Sequence, residues 1–177
     1  MSKAFTKESD DGPFDEAIPE PRDLLPEGAK NYVTEEGAKA LEDELAHLEQ
    51  VLRPQAVKAS KGKGAEPQGA LSPKRRLEAI DRRARFLRNQ IANMVIVDLR
   101  NQDPESVHFG ARVTVADEEG HERAYQIVGV DESDPAHGKI SWISPIGKAL
   151  ISTRVGDIVR IELPDGASEL EVLEIEY

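Results

Sequence analysis

Cysteine is absent from the 177 residues, which excludes disulfides, thiol catalysis and cysteine-ligated zinc. Histidine is scarce: His47, His108, His121 and His137 are scattered with no paired spacing. No metal site of the chain's own is therefore expected. No apolar run approaches the roughly 18–20 residues that cross a bilayer, and the N-terminus lacks the apolar stretch of a secretory signal. A cytoplasmic protein with no membrane partner is the expectation. Nucleophile-elbow, phosphate-loop and dinucleotide-binding signatures are also missing, so no reaction is expected of the chain alone. Hydrophobic residues make up 38% and charged residues 32%, which leaves room for one or two small domains. A net charge of −11 argues against general binding to a phosphate backbone.

What is present is unevenly distributed. Residues 1–30 read as a disordered acidic tail: Met1 to Ala29 holds eight acids against three bases, with Pro13, Pro19, Pro21 and Pro26, too little apolar surface to offset the entropy of ordering. Thr34 is a good N-cap, and Glu35 and Glu36 follow where a helix dipole favours negative charge. Leu41, Leu45, Leu48 and Leu52 then recur at spacings of four, three and four. Leu77, Ile80, Ala84, Leu87, Ile91 and Met94 repeat at three and four on a second segment opened by Ser72-Pro73. Both are narrow apolar seams on charged rods, the pattern of coiled-coil strands. Folded back on one another they make an antiparallel hairpin over residues 31–100. A first helix over 35–60 would be about 40 Å long at 1.5 Å per residue. The stretch 61–72, with Gly62, Gly64, Pro67 and Gly69, reads as a flexible tip loop.

Between Arg53 and Arg88 lie eleven basic residues and three acids, a local charge of +8 against −19 for the rest of the chain. Such a concentration suits one end of the hairpin meeting nucleic acid inside a larger contact. Lys74, Arg75, Arg82 and Arg83 are the candidate RNA-binding residues, while Arg76 lies nearer the seam. After a linker at 101–106, short runs at Val113, Val115, Tyr125–Val130, Ile140–Ile143, Ile158–Leu163 and Leu170–Ile175 alternate with glycine turns. They predict a small antiparallel sheet domain over 107–177, with a short helix starting at Pro145. Asp117-Glu118-Glu119 reads as a hairpin turn and Asp131-Glu132-Ser133-Asp134 as a solvated loop. Trp142 reads as a core residue. The fold class is α+β.

The run Ser141-Trp142-Ile143-Ser144-Pro145-Ile146-Gly147-Lys148-Ala149-Leu150-Ile151, closed by Gly156-Asp157, matches the C-terminal signature of the Gre transcription-elongation factors. Asn31-Tyr32-Val33-Thr34, Lys74 to Arg83, Phe109-Gly110-Ala111, Ile127-Val128-Gly129 and the closing Glu174 to Tyr177 add to the likeness, nearer GreB than GreA. From about Asn31 onward the chain resembles that family. The resemblance implies an FKBP-like C-terminal domain and a monomeric accessory factor of bacterial RNA polymerase. In the family the hairpin enters the polymerase's secondary channel, and tip acids help hold the polymerase's own second Mg²⁺ while nascent RNA is cut. No cofactor of the chain's own is implied. Ser144, Pro145 and Ile146 are the candidate partner-binding residues.

At the tip the sequence departs from the family. An Asp is expected there, then a Glu three residues later followed by Asn. Counting back from Lys74-Arg75-Arg76-Leu77 puts Lys63 at the Asp position, keeps Glu66, and replaces Asn by Pro67. An ammonium repels the metal that a carboxylate would attract. The expectation is a channel-binding elongation factor with weak or no stimulation of transcript cleavage. An ordinary GreB-like anti-arrest factor working through Glu66 is the alternative. A prolyl isomerase on the FKBP-like domain is a distant one, with only Phe109, Tyr125, Trp142 and Tyr177 to line a pocket.

Overall fold

A computed structural model describes residues 18–21, 25–26, 28–61, 72–163 and 166–177. Most of the expected acidic tail, and the tip residues 62–71 with Lys63 and Glu66, lie outside them. The chain divides into two compact units, one from 1–22 with 46–86 and the other from 23–45 with 87–177.

The second unit opens with strand β1 (Asn31–Val33), which leads into helix α1 (Glu35–His47). Thr34 caps this helix as its sequence predicts: its Oγ1 accepts from the Gly37 amide at 2.9 Å. In the unit of 46–86, one π-helical turn at Leu48–Leu52 precedes α2 (Arg53–Lys61). The cause is Pro54. It has no N–H to donate, and its ring would crowd the carbonyl four residues back. The wider turn relieves the crowding, and the Arg53 amide reaches the Leu48 carbonyl instead. Pro54→Ala should therefore let the helix run regularly and gain about 1–3 kcal/mol, read as a rise in 222 nm ellipticity and in the denaturation midpoint.

Helix α3 (Pro73–Asn93) supplies the second rod. Leu41, Leu48 and Leu52 of the first seam and Ile80, Ala84 and Leu87 of the second are buried, as the three-and-four spacing requires. Arg53 Nε donates to Asp81 Oδ1 at 2.8 Å, an exposed tie between α2 and α3. The helix ends one residue earlier than the seam suggested. Asn93 Nδ2 takes the Asn89 carbonyl at 2.8 Å, and Met94 opens strand β2 (Met94–Ile96), which pairs parallel with β1.

The rest of the second unit is a five-stranded sheet in the order β5-β4-β3-β7-β6, with β3 at Arg112–Asp117, β4 at Glu122–Val128, β5 at Lys139–Ser141, β6 at Ile158–Leu163 and β7 at Gly166–Glu176. Val107, Val113, Val115, Ile127, Leu150, Ile161 and Val172 form its core. Asp117 shapes the β3–β4 turn as expected, accepting from the Glu119 and His121 amides. Those bonds, the His121 amide first, hold its carboxyl below the ordinary carboxylate range. The C-terminus is fastened too: the Tyr177 hydroxyl donates to the Ser106 carbonyl at 2.6 Å and accepts from the His108 amide.

The sheet is mixed, where an antiparallel one was expected. Strand β5 runs parallel to β4, because 129–138 is no hairpin turn. Two 3-10 turns, Val130–Glu132 and Pro135–His137, carry the chain back before β5 begins.

Candidate nucleic-acid interface and docking elements

Helix α3 sets out its charges by period. At 100° per residue, Lys74, Arg75, Arg82 and Arg85 fall within a sector of about 100°, opposite buried Ile80 and Ala84. All four are exposed, so burying the seam is what aims the basic face outward. Glu78 shares that sector, and Asp81 is taken by Arg53. Arg83 stands apart from the other three RNA candidates: it is half-buried, its guanidinium carbon 5.3 Å from the centroid of the Phe86 ring, a cation–π contact. Arg76 is half-buried, as its place beside the seam suggested.

The candidate docking triplet divides in the same way. Ser144 Oγ accepts from the Gly147 amide at 3.0 Å and caps the short helix α4 (Pro145–Leu150). Ile146 packs against the sheet core. Pro145 alone of the three is exposed. The Ser and Ile of the signature thus build the strand-to-helix corner, and the proline is left facing outward.

Sequence reasoning missed a third cluster, within the second unit. Asp131 and Glu132, read as part of a solvated loop, are half-buried and bound to the base of the hairpin. Glu132 Oε1 accepts from the Thr34 amide at 2.9 Å and the Gly129 amide at 3.1 Å, and Oε2 accepts from the Thr34 hydroxyl. Asn31 Nδ2 donates to Asp131 Oδ2 and to Gln90 Oε1, each at 3.0 Å. Asn31, Thr34 and Gln90 are all buried. Trp142, read as core, packs against it and also meets Tyr32 edge-on, with ring centroids 5.6 Å apart. No group of three or more His, Asp or Glu side chains that could hold a metal is found among the described residues.

Residues 31–96 match the family model described as transcription elongation factor, N-terminal. Residues 101–177 match that of transcription elongation factor, GreA/GreB, C-term. The chain belongs to the GreA/GreB family. It is GreB-like: transcription elongation factor GreB of Neisseria meningitidis serogroup B is 42% identical over 154 residues, covering 84% of this chain and 94% of that one. Transcription elongation factor GreA of Pelobacter propionicus is 37% identical over 151 residues, covering 82% and 96%. The solved GreA factor homolog 1 of Thermus thermophilus is 24% identical, covers 84% of this chain and all of that one, and superposes with a TM-score of 0.37. These relatives carry transcription-factor names, and nothing among them supports the prolyl-isomerase alternative. No helix among the described residues is long and apolar enough to cross a membrane.

Proposed function

We propose that this GreB-like factor binds bacterial RNA polymerase as a monomer, with its hairpin in the secondary channel. There it modulates elongation with weak or no stimulation of transcript cleavage. Lys63 at the tip carries this reading. Hydrolysis of RNA by a two-metal centre needs cations on both the attacking and the leaving oxygen. A tip that assists it must add negative charge beside the second ion, and an ammonium adds the opposite. The chain is an accessory and not itself an enzyme, since any cutting belongs to the polymerase and its own Mg²⁺.

The other parts of a channel-binding factor support the same reading. Lys74, Arg75 and Arg82 are exposed on one face of α3, where phosphates of nascent RNA would give position without sequence choice. Pro145 is offered at the corner of the sheet domain. Glu66 stands at the one tip position that keeps a carboxylate, and this favours the second reading, a normal anti-arrest factor.

Stalled, backtracked elongation complexes with Mg²⁺ separate the two. The protein alone is expected to leave transcripts uncut while suppressing, in proportion to its concentration, the cleavage that a GreB control stimulates. Robust shortening that disappears in Glu66→Ala would establish the anti-arrest reading instead.

A further inference from the structure

Both helices of the hairpin are held at their sheet-side ends by a single turn between β4 and β5. The start of α1 hangs on Glu132 through the Thr34 amide and hydroxyl. The last turns of α3 hang on Asp131 through Gln90 and Asn31. Two glycines leave the room for this. A Cβ on Gly37 would overlap the Glu132 carboxylate, and one on Gly129 would overlap the Tyr32 carbonyl. Gly37 sits in the first turn of α1, where alanine would be the better helix former, so local propensity does not explain it. Clearance for a carboxylate from elsewhere in the chain does.

We propose that Glu132 is a positioning residue: by gripping the N-cap of α1, it sets the attitude at which the first turns of α1 leave the sheet within this unit. A carboxylate is suited to the task because one oxygen can take two amides while the other takes a hydroxyl, all charge-assisted. Its negative charge also lies at the positive end of the α1 dipole. An ordinary N-cap needs only the Thr34 side chain and the Gly37 amide. The additional grip on the Thr34 amide and hydroxyl fixes where the cap sits.

The absence of cysteine makes the test direct. Cysteines placed at Lys39 on α1 and Arg123 on β4, both exposed, carry spin labels, and their distance distribution is measured in the free protein. The wild-type background should give one narrow distance. Glu132→Ala and Gly37→Ala should both broaden or shift it, one by removing the grip and the other by displacing it. Thr34→Ser, which keeps the hydroxyl, should leave it narrow. Unchanged distributions in Glu132→Ala and Gly37→Ala, whatever happens to their melting temperatures, would reduce Glu132 to a local cap and overturn the proposal.

The functional consequence rests on the reading above. If only about a tenth of molecules then hold the competent attitude, the polymerase Kd should rise about tenfold. A shifted distance with an unaltered Kd would also overturn the positioning role. Failure of the wild-type protein to bind polymerase would sink the channel reading, while the distances in the free protein would still decide the role of Glu132.

Discussion

Lys63→Asp, combined with Pro67→Asn, is expected to raise transcript cleavage in backtracked complexes at least about tenfold over the unaltered protein. Charged groups aimed at the reacting centre are commonly worth about 10²–10³ in rate, and this exchange acts on two such terms. It removes a cation that opposes the second Mg²⁺ and supplies a carboxylate that attracts it. The gain should therefore be larger at limiting Mg²⁺ than at saturating Mg²⁺. It should vanish when Glu66→Ala is added, because two carboxylates acting on one ion behave as a unit and their effects do not add. Rate constants for shortening of a single labelled transcript, measured across a Mg²⁺ titration, give all of this in one experiment. If the restored tip cuts no better than the original, the block to cleavage lies elsewhere than Lys63, and the electrostatic account of the departure fails. If the unaltered protein already cuts well, Glu66 is sufficient and the chain is an ordinary anti-arrest factor.

That contrast rests on counting back without gaps from Lys74-Arg75-Arg76-Leu77, which puts Lys63 and Glu66 at the tip positions. The helices were legible for a physical reason as well. A seam repeating at three and four admits one buried face, and Leu48, Leu52, Ile80, Ala84 and Leu87 are buried accordingly. The same periodicity placed Lys74, Arg75 and Arg82 outward. It could not foresee that Arg83 turns onto Phe86, since that depends on a neighbour's ring and not on the helical period.

The sheet was legible strand by strand, because alternation reports which face of a strand is buried and not which way its neighbour runs. Hence the parallel pairs β4–β5 and β1–β2 went unforeseen. Asp131 and Glu132 escaped for a related reason. Glycines, prolines and acids around them look like any solvated turn, and their partners Asn31 and Thr34 lie about a hundred residues away in the chain. The signal available was Thr34 itself, a recognised cap whose hydroxyl had a proton to donate. Ser144 was legible as part of a signature, yet its hydroxyl serves the α4 N-terminus, so a match to a signature did not separate a residue that contacts a partner from one that shapes the corner.

Gly129→Ala should be strongly destabilising, because the added methyl meets backbone. Gly129 is buried and has a negative φ of −64°, so alanine meets no backbone strain there and the penalty is one of space. The obstacle is the Tyr32 carbonyl, a backbone atom of β1, with Glu132 Oε1 at 2.8 Å behind it. A flexible side chain can swing aside, but a strand paired with β2 through Tyr32 and Val95 moves only if the hairpin base moves with it. Overpacking of this kind costs about 1–3 kcal/mol, which for a unit of this size is a fall in Tm of roughly 5–15 °C. Gly120→Ala is the matching control: its φ of +81° carries backbone strain, with nothing within 4 Å to obstruct a Cβ. Left-handed strain alone costs about 1–2 kcal/mol, and at Gly120 it should leave the contacts of Tyr32 untouched. The two are separable by the emission of Trp142, the only tryptophan, whose ring meets Tyr32 edge-on. Gly129→Ala should shift that emission in the still-folded protein, whereas Gly120→Ala should lower Tm without doing so. An unshifted Trp142 in folded Gly129→Ala would mean that the base of the hairpin accommodates the methyl without moving, and that this glycine is not what seats β1 on the sheet.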